Sequence, residues 1–248
     1  MLEKFDAIID ATKGVFFDRG DTTNASHQGP SSEAKEIQRA ECLQLFIQKK
    51  YQKTISVDQI LQTFIDPWKS TFPNRDRRGY ELKIDDYINE MLAVYNIDYQ
   101  EADINQMIFA YGKSHIQWDT PNHGISDLFQ YFKAKNIKIG ILSNSVMPGW
   151  IYQEMYKHYG LAQYIDEYVF SYDVGFRKPD RRIFEYACQK MTLAPQHCLM
   201  IGDRVDKDIM GAKQIGMRTI WYNVEKHESD NCNADLEISN FRELLRSG

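Results

Sequence analysis

Hydrophobic positions along this chain follow two rhythms, and the places where one gives way to the other mark its organisation. Phe5, Ile8, Ile9 and Thr12 fall on one helical face near the N-terminus. The run Gly14-Val15-Phe16-Phe17 that follows is too short for a helix, is bounded by Gly and Asp, and suits a buried central strand. From about residue 24 to residue 117 the spacing is that of long amphipathic helices, over 34–51, 57–69, 84–95 and 103–115, with no convincing strand. The acids of Ser56-Val57-Asp58-Gln59 and Ile84-Asp85-Asp86 sit at helix starts, where they cap free N–H groups and suit the dipole. They are read as helix punctuation and nothing more.

Two stretches rich in turn formers, 24–32 and 118–124, bracket this block like hinges. Beyond the second, helices and short apolar strands alternate regularly. A helix over 125–135 precedes a strand over 137–142, and one around 150–159 precedes a strand over 168–170. Helices over 181–191 and 208–216 lead to strands over 198–201 and 218–222. This alternation predicts an α/β fold, a Rossmann-like parallel sheet covered on both faces, with an α-helical domain inserted after the first strand.

Composition removes several classes of function. A net charge of -5 provides no basic face for nucleic acid. Hydrophobic residues at 43% and charged residues at 26% belong to an ordinary soluble globular chain, and no apolar stretch is long enough to span a membrane. Glu3, Asp6 and Asp10 break up the apolar N-terminus, so no secretory signal is read there. Cys42, Cys188, Cys198 and Cys232 form no CxxC pair, and the histidines show no metal-ligand spacing. A reducing, cytoplasmic setting is the simplest expectation.

The chemistry concentrates where apolar runs end. Phe16-Phe17-Asp18-Arg19-Gly20-Asp21-Thr22 and Ile201-Gly202-Asp203-Arg204-Val205-Asp206-Lys207-Asp208 each read as a strand that stops in carboxylates. Such ends place oxygen ligands at the carboxyl edge of the sheet, a setting suited to Mg²⁺. Between them lie Ser143-Asn144, ending another strand, and the Lys178-Pro179 dipeptide. Taken singly, each has a plain structural reading: Asp18 as a turn cap, Ser143 as a strand-end cap, Lys178 as a solvated loop lysine.

In order and together, these segments resemble the haloacid dehalogenase superfamily over residues 14–22 and roughly 121–223. The resemblance implies a core of residues 1–23 and 118–248, with 24–117 as a helical cap. It implies that Asp18 is a nucleophile forming an aspartyl-phosphate, and that Ser143, Asn144 and Lys178 bind the phosphoryl group. Lys178, rather than the adjacent Arg177, is chosen by the Lys-Pro pair. It further implies Mg²⁺ held by Asp18, the backbone carbonyl of Gly20, Asp203 and, through water, Asp208. The expected activity is hydrolysis of a small phosphorylated metabolite, with no nucleic-acid or membrane partner.

One position departs from the commonest phosphatase pattern, Asp-x-Asp-x-Thr. Residue 20 is Gly where the second Asp, the general acid and base, would stand, and Asp21 comes one residue late. A dehalogenase, a phosphonate-cleaving enzyme and a catalytically weak binding or regulatory protein on the same core are therefore the alternatives. The retained Asp203 and Asp208 argue against the dehalogenase. Asp206 is read as the N-cap of the final helix or an outer-shell residue, and Arg75-Asp76-Arg77-Arg78 as a solvated loop that could steer an anion.

Overall fold

Alternate side chains of the first strand point to opposite faces, and this sets the layers of the molecule. Strand β1 (Gly14–Phe17) is buried along its length. Phe17 packs on one face against Phe129, Phe132 and Phe241, with ring centroids 5.1, 5.9 and 6.4 Å away. Phe16 enters the other face among Val169, Ile183, Phe184 and Met200. A fully buried Phe contributes about 1.5–3 kcal/mol. Gly140 is required beside Phe16, because a Cβ there would lie 2.6 Å from its ring.

The computed structural model describes residues 2–25, 30–74, 79, 81–229 and 232–245. Its main sheet runs in the order β5 (Glu167–Phe170), β4 (Lys138–Ser143), β1, β6 (Cys198–Gly202), β7 (Arg218–Tyr222) and β8 (Leu236–Ile238), all pairs parallel. After β1 the chain builds outward through β4 and β5, then crosses to the other side for β6, β7 and β8. The order reverses at β1, so the crevice at its carboxyl end is the switch point where open α/β sheets bind ligands.

Between β1 and β4 the chain is mainly helical. Ser32–Tyr51 is capped by Ser31, whose Oγ accepts from the Ala34 N–H at 3.2 Å. Ser56 and Gln59 form a reciprocal capping box at the start of Val57–Ile60, which continues through a π turn into Asp66–Ser70. Ile84–Val94 and Glu101–Gly112 complete the block. The buried stripe of Leu43, Ile47, Phe64, Met91 and Tyr111 joins the cluster on the Phe17 face of the sheet.

Four expectations are corrected. Asn24–Ala25 (β2) pairs antiparallel with Thr120–Pro121 (β3), so a strand does occur where the helical block was expected to begin. Two residues are too few to carry a periodic signal. The last helical segment starts with a π turn at Val205–Ile209, ahead of residue 208, and Asp206 lies inside that turn rather than at its cap. Its carboxylate meets the half-exposed Arg204 guanidinium at 3.1 Å. Asp85 does more than punctuate a helix: it accepts from the Tyr172 hydroxyl at 2.6 and 2.7 Å. Edge strand β8 was not foreseen, being only three residues long. The basic run 75–78 and hinge residues 26–29 lie outside the described residues. Among the described residues no helix is long and apolar enough to cross a membrane.

Candidate active site

The carboxyl ends of β1, β4 and β6 converge, and the side chains that follow them face one another. The Asp18 N–H continues the ladder by donating to Ile201 O at 2.9 Å. The chain then turns tightly: Asp21 N–H donates to Asn24 O at 2.7 Å and Asn24 N–H to Arg19 O at 3.0 Å. Asp21 takes the left-handed conformation, with φ 56°, whereas Gly20 is not among the positive-φ glycines. Thr22 Oγ1 donates to Asp203 Oδ1 at 3.0 Å, linking the β1 turn to the end of β6.

Lys178 is 2% exposed and forms the centre of the arrangement. Its ammonium donates to Asp18 Oδ1 at 2.6 Å, Asp208 Oδ1 at 2.5 Å and Leu142 O at 2.9 Å. Asp208 also accepts from the Arg204 N–H at 3.0 Å. The π turn brings Asp208 back over the strand end, and Gly202 leaves room for it, since a Cβ on Gly202 would lie 2.3 Å from Asp208 Oδ2. One oxygen from each of Asp18, Asp203 and Asp208 lies within 4.8 Å of the others. These are the residues that could hold a metal ion.

The electrostatics fit that role. Burial, reinforced by the nearby Asp18 and Asp208 carboxylates, pushes Asp203 up to about 8. Burial likewise pushes Asp208 up to about 6, with Lys178 opposing and Asp18 adding to the rise. Burial works against the Lys178 ammonium, but the Asp18 and Asp208 carboxylates outweigh it and raise its pKa. One cation is thus insufficient for three acids, and a hard divalent cation would relieve the remaining repulsion.

Ser143 and Asn144 both reach this edge, with different surroundings. Ser143, at the end of β4, is 2% exposed and lines a cavity of about 200 Å³ together with Asp18, Gly20, Lys178, Asp203 and Asp208. Asn144 also lines it, but its amide is engaged with the lysine loop: Nδ2 donates to Lys178 O at 3.0 Å, and Oδ1 accepts the Lys178 N–H at 2.8 Å. A larger groove of about 890 Å³, walled in part by Met210, Trp221 and Tyr222, adjoins the cavity and shares Asp21, Asp203 and Arg204 with it.

Arg19 is a member of this site that sequence reasoning passed over. Its Nη1 donates to Asp119 Oδ2 at 2.6 Å, and its guanidinium lies 4.3 Å from the centre of the Tyr152 ring. Asn122 Nδ2 donates to Thr22 O at 2.6 Å, and Asn24 Nδ2 to Asp119 O at 2.9 Å. The chain entering the helical block is therefore fastened to the chain leaving it.

A Rossmann-like α/β protein with its candidate site at the carboxyl switch point is the class that this fold defines. The family model for haloacid dehalogenase-like hydrolases matches residues 12–216, and the chain belongs to that family. A glyceraldehyde 3-phosphate phosphatase of Methanopyrus kandleri is 25% identical over 242 residues, covering 94% of this chain and 95% of that protein. A glyceraldehyde 3-phosphate phosphatase of Methanothermobacter thermautotrophicus is 32% identical over 123 residues, covering 46% of this chain and 53% of the relative. Among solved structures, a phosphatase of the same superfamily from Thermococcus onnurineus superposes with TM-score 0.63 at 22% identity, covering 95% of this chain and 97% of its own.

Proposed function

We propose that this hydrolase is a Mg²⁺-dependent phosphatase that acts on a small phosphorylated metabolite through an aspartyl-phosphate on Asp18. The observation that carries the reading is the buried Lys178 ammonium between Asp18 and Asp208, with Asp203 completing a carboxylate cluster within 4.8 Å. The names of the relatives support a small phosphate ester as the substrate class.

Asp18, Asp203 and Asp208, with the backbone carbonyl of Gly20, would hold Mg²⁺, which supplies charge neutralisation for the phosphoryl group. An Asp18 oxygen bonds to phosphorus as the ester P–O bond breaks, and the departing alkoxide takes its proton from solvent because residue 20 has no carboxyl group. Water then attacks the aspartyl-phosphate, releasing inorganic phosphate and regenerating Asp18. Lys178, bonded to Asp18, faces the incoming anion and offsets its repulsion by the carboxylate, while Ser143 Oγ donates to a phosphoryl oxygen. A missing general acid costs roughly 10²- to 10⁴-fold, so good leaving groups are favoured.

Residues 24–117 serve as a cap over residues 1–23 and 118–248, closing on substrate to exclude water. The β2–β3 pairing and the Arg19–Asp119 contact support a shared hinge at its two crossings. A reducing cytoplasmic setting is supported by four unpaired cysteines.

The test is a panel of phosphorylated metabolites assayed with and without Mg²⁺ on wild type and Asp18→Asn. Metal-dependent turnover that falls about 10³-fold or more in a folded Asp18→Asn variant is expected. Metal-independent halide release from haloacids, or tight ligand binding without turnover, would instead favour the dehalogenase or the regulatory protein.

A further inference from the structure

Glu81 belongs to the helical block, yet its side chain is completely buried against the core. It accepts from Arg177 Nη1 and from Ser171 Oγ, the latter at 2.5 Å, and its own N–H donates to Gly175 O at 3.1 Å. These partners lie on the segment running from the end of β5 to Lys178. Ser171 Oγ also accepts the Ser145 N–H at 2.7 Å, two residues beyond Ser143. Asn144, between those serines, brackets the Lys178 backbone. One carboxylate therefore braces both the Ser143–Ser145 turn and the Arg177–Lys178 loop. A buried carboxylate is costly to hold without such partners, and plain packing would be better served by an apolar side chain.

We infer that Glu81 is a positioning residue, reaching from the helical insertion to fix Lys178 and Ser143 relative to each other at the catalytic edge. The inference rests on the phosphatase reading above. It gives the insertion a share in assembling the site as well as covering it. Lys178 reaches its carboxylates through a long side chain, so a shift of its backbone is felt at the ammonium, and a misplacement of about 1 Å can cost 10²-fold in rate. Asp85 offers a control: it joins the same insertion to the core through the Tyr172 hydroxyl, and among the described residues no hydrogen bond links its side chain to Ser143–Ser145 or Arg177–Lys178.

Glu81→Gln and Asp85→Asn, made in the full chain, are to be compared with wild type on nitrophenyl phosphate with Mg²⁺, well below their melting temperatures. Amide hydrogen exchange is followed at Ser145 and Lys178, whose N–H groups donate to Ser171 Oγ and Asn144 Oδ1. Glu81→Gln is expected to lower kcat about 10- to 100-fold while KM stays within about threefold, and to speed exchange at both amides. Asp85→Asn should change neither. Wild-type kcat in Glu81→Gln, equal losses in the two variants, or unchanged exchange at both amides would overturn the inference. Should Glu81→Gln not fold, Glu81→Gln with Arg177→Met removes both charges together, and wild-type kcat in that double variant would overturn it equally. If wild type hydrolyses no phosphate ester, the phosphatase reading fails, and the exchange rates still decide the positioning role.

Discussion

The turns after β1 and β6 begin alike and end differently. Each follows a buried strand and carries acids within a few residues, Asp18 and Asp21 after β1 and Asp203, Asp206 and Asp208 after β6. After β6 Asp203 and Asp208 enter the carboxylate cluster and Asp206 does not; after β1 only Asp18 does. The π turn over Val205–Ile209 folds Asp208 back over Gly202, whereas the left-handed Asp21 lines both the cavity at the strand ends and the adjoining groove. In each turn one acid is left out of the cluster, because backbone conformation decides which carboxylates face the strand end.

The sharpest way to break this comparison is to remove the room that lets Asp208 return. A Cβ at Gly202 would meet Asp208 Oδ2 at 2.3 Å, inside any tolerable contact. Gly202→Ala should displace that carboxylate from Lys178, lower kcat about 10- to 100-fold and cost about 1–3 kcal/mol of stability by overpacking. Kinetics together with denaturant unfolding measure both. A variant with wild-type values in each would show that the return of Asp208 does not depend on this glycine.

The β1 turn can be sharpened instead of broken. Because Gly20 is not left-handed, an aspartate there meets no penalty from a positive φ. Gly20→Asp should supply the absent acid and raise turnover of alkyl phosphates about 10-fold or more relative to nitrophenyl phosphate, whose leaving group needs no proton. Equal changes for both substrates would sink the missing-acid interpretation.

The smallest effect concerns the charge that the two turns share. Asp203 is raised to about 8, far above an ordinary carboxylate, so in metal-free protein the folded state holds a proton that the unfolded state has lost. Stability from this group is therefore present at low pH and lost as pH rises from about 4 towards 8. Mg²⁺ competes with that proton, so its apparent affinity and the rise in Tm at fixed Mg²⁺ should both be larger at pH 8 than at pH 6. Thermal melts at the two pH values check this, and a greater stabilisation at pH 6 would contradict it.

The hydrophobic rhythm by itself determined the parallel sheet, the helical insertion and the strand ends that lead into Asp18, Ser143 and Asp203 with Asp208, whereas Lys178, on a loop beyond the short helix after β5, is marked only by its Lys-Pro pair. These were legible because a buried strand and the polar residues that leave its edge are covalent neighbours, so one short segment holds both signals. Only the tertiary structure decided the rest. Arg19 meets Asp119 across 100 residues and Glu81 meets Arg177 across 96, and neither pair leaves any local pattern. Asp85 read as punctuation because its partner, Tyr172, is 87 residues away. Asp21 and Asp206, conspicuous in the chain, are set at the rim by a left-handed residue and a π turn. Such local geometry depends on packing around the turn, which residue identity alone does not specify.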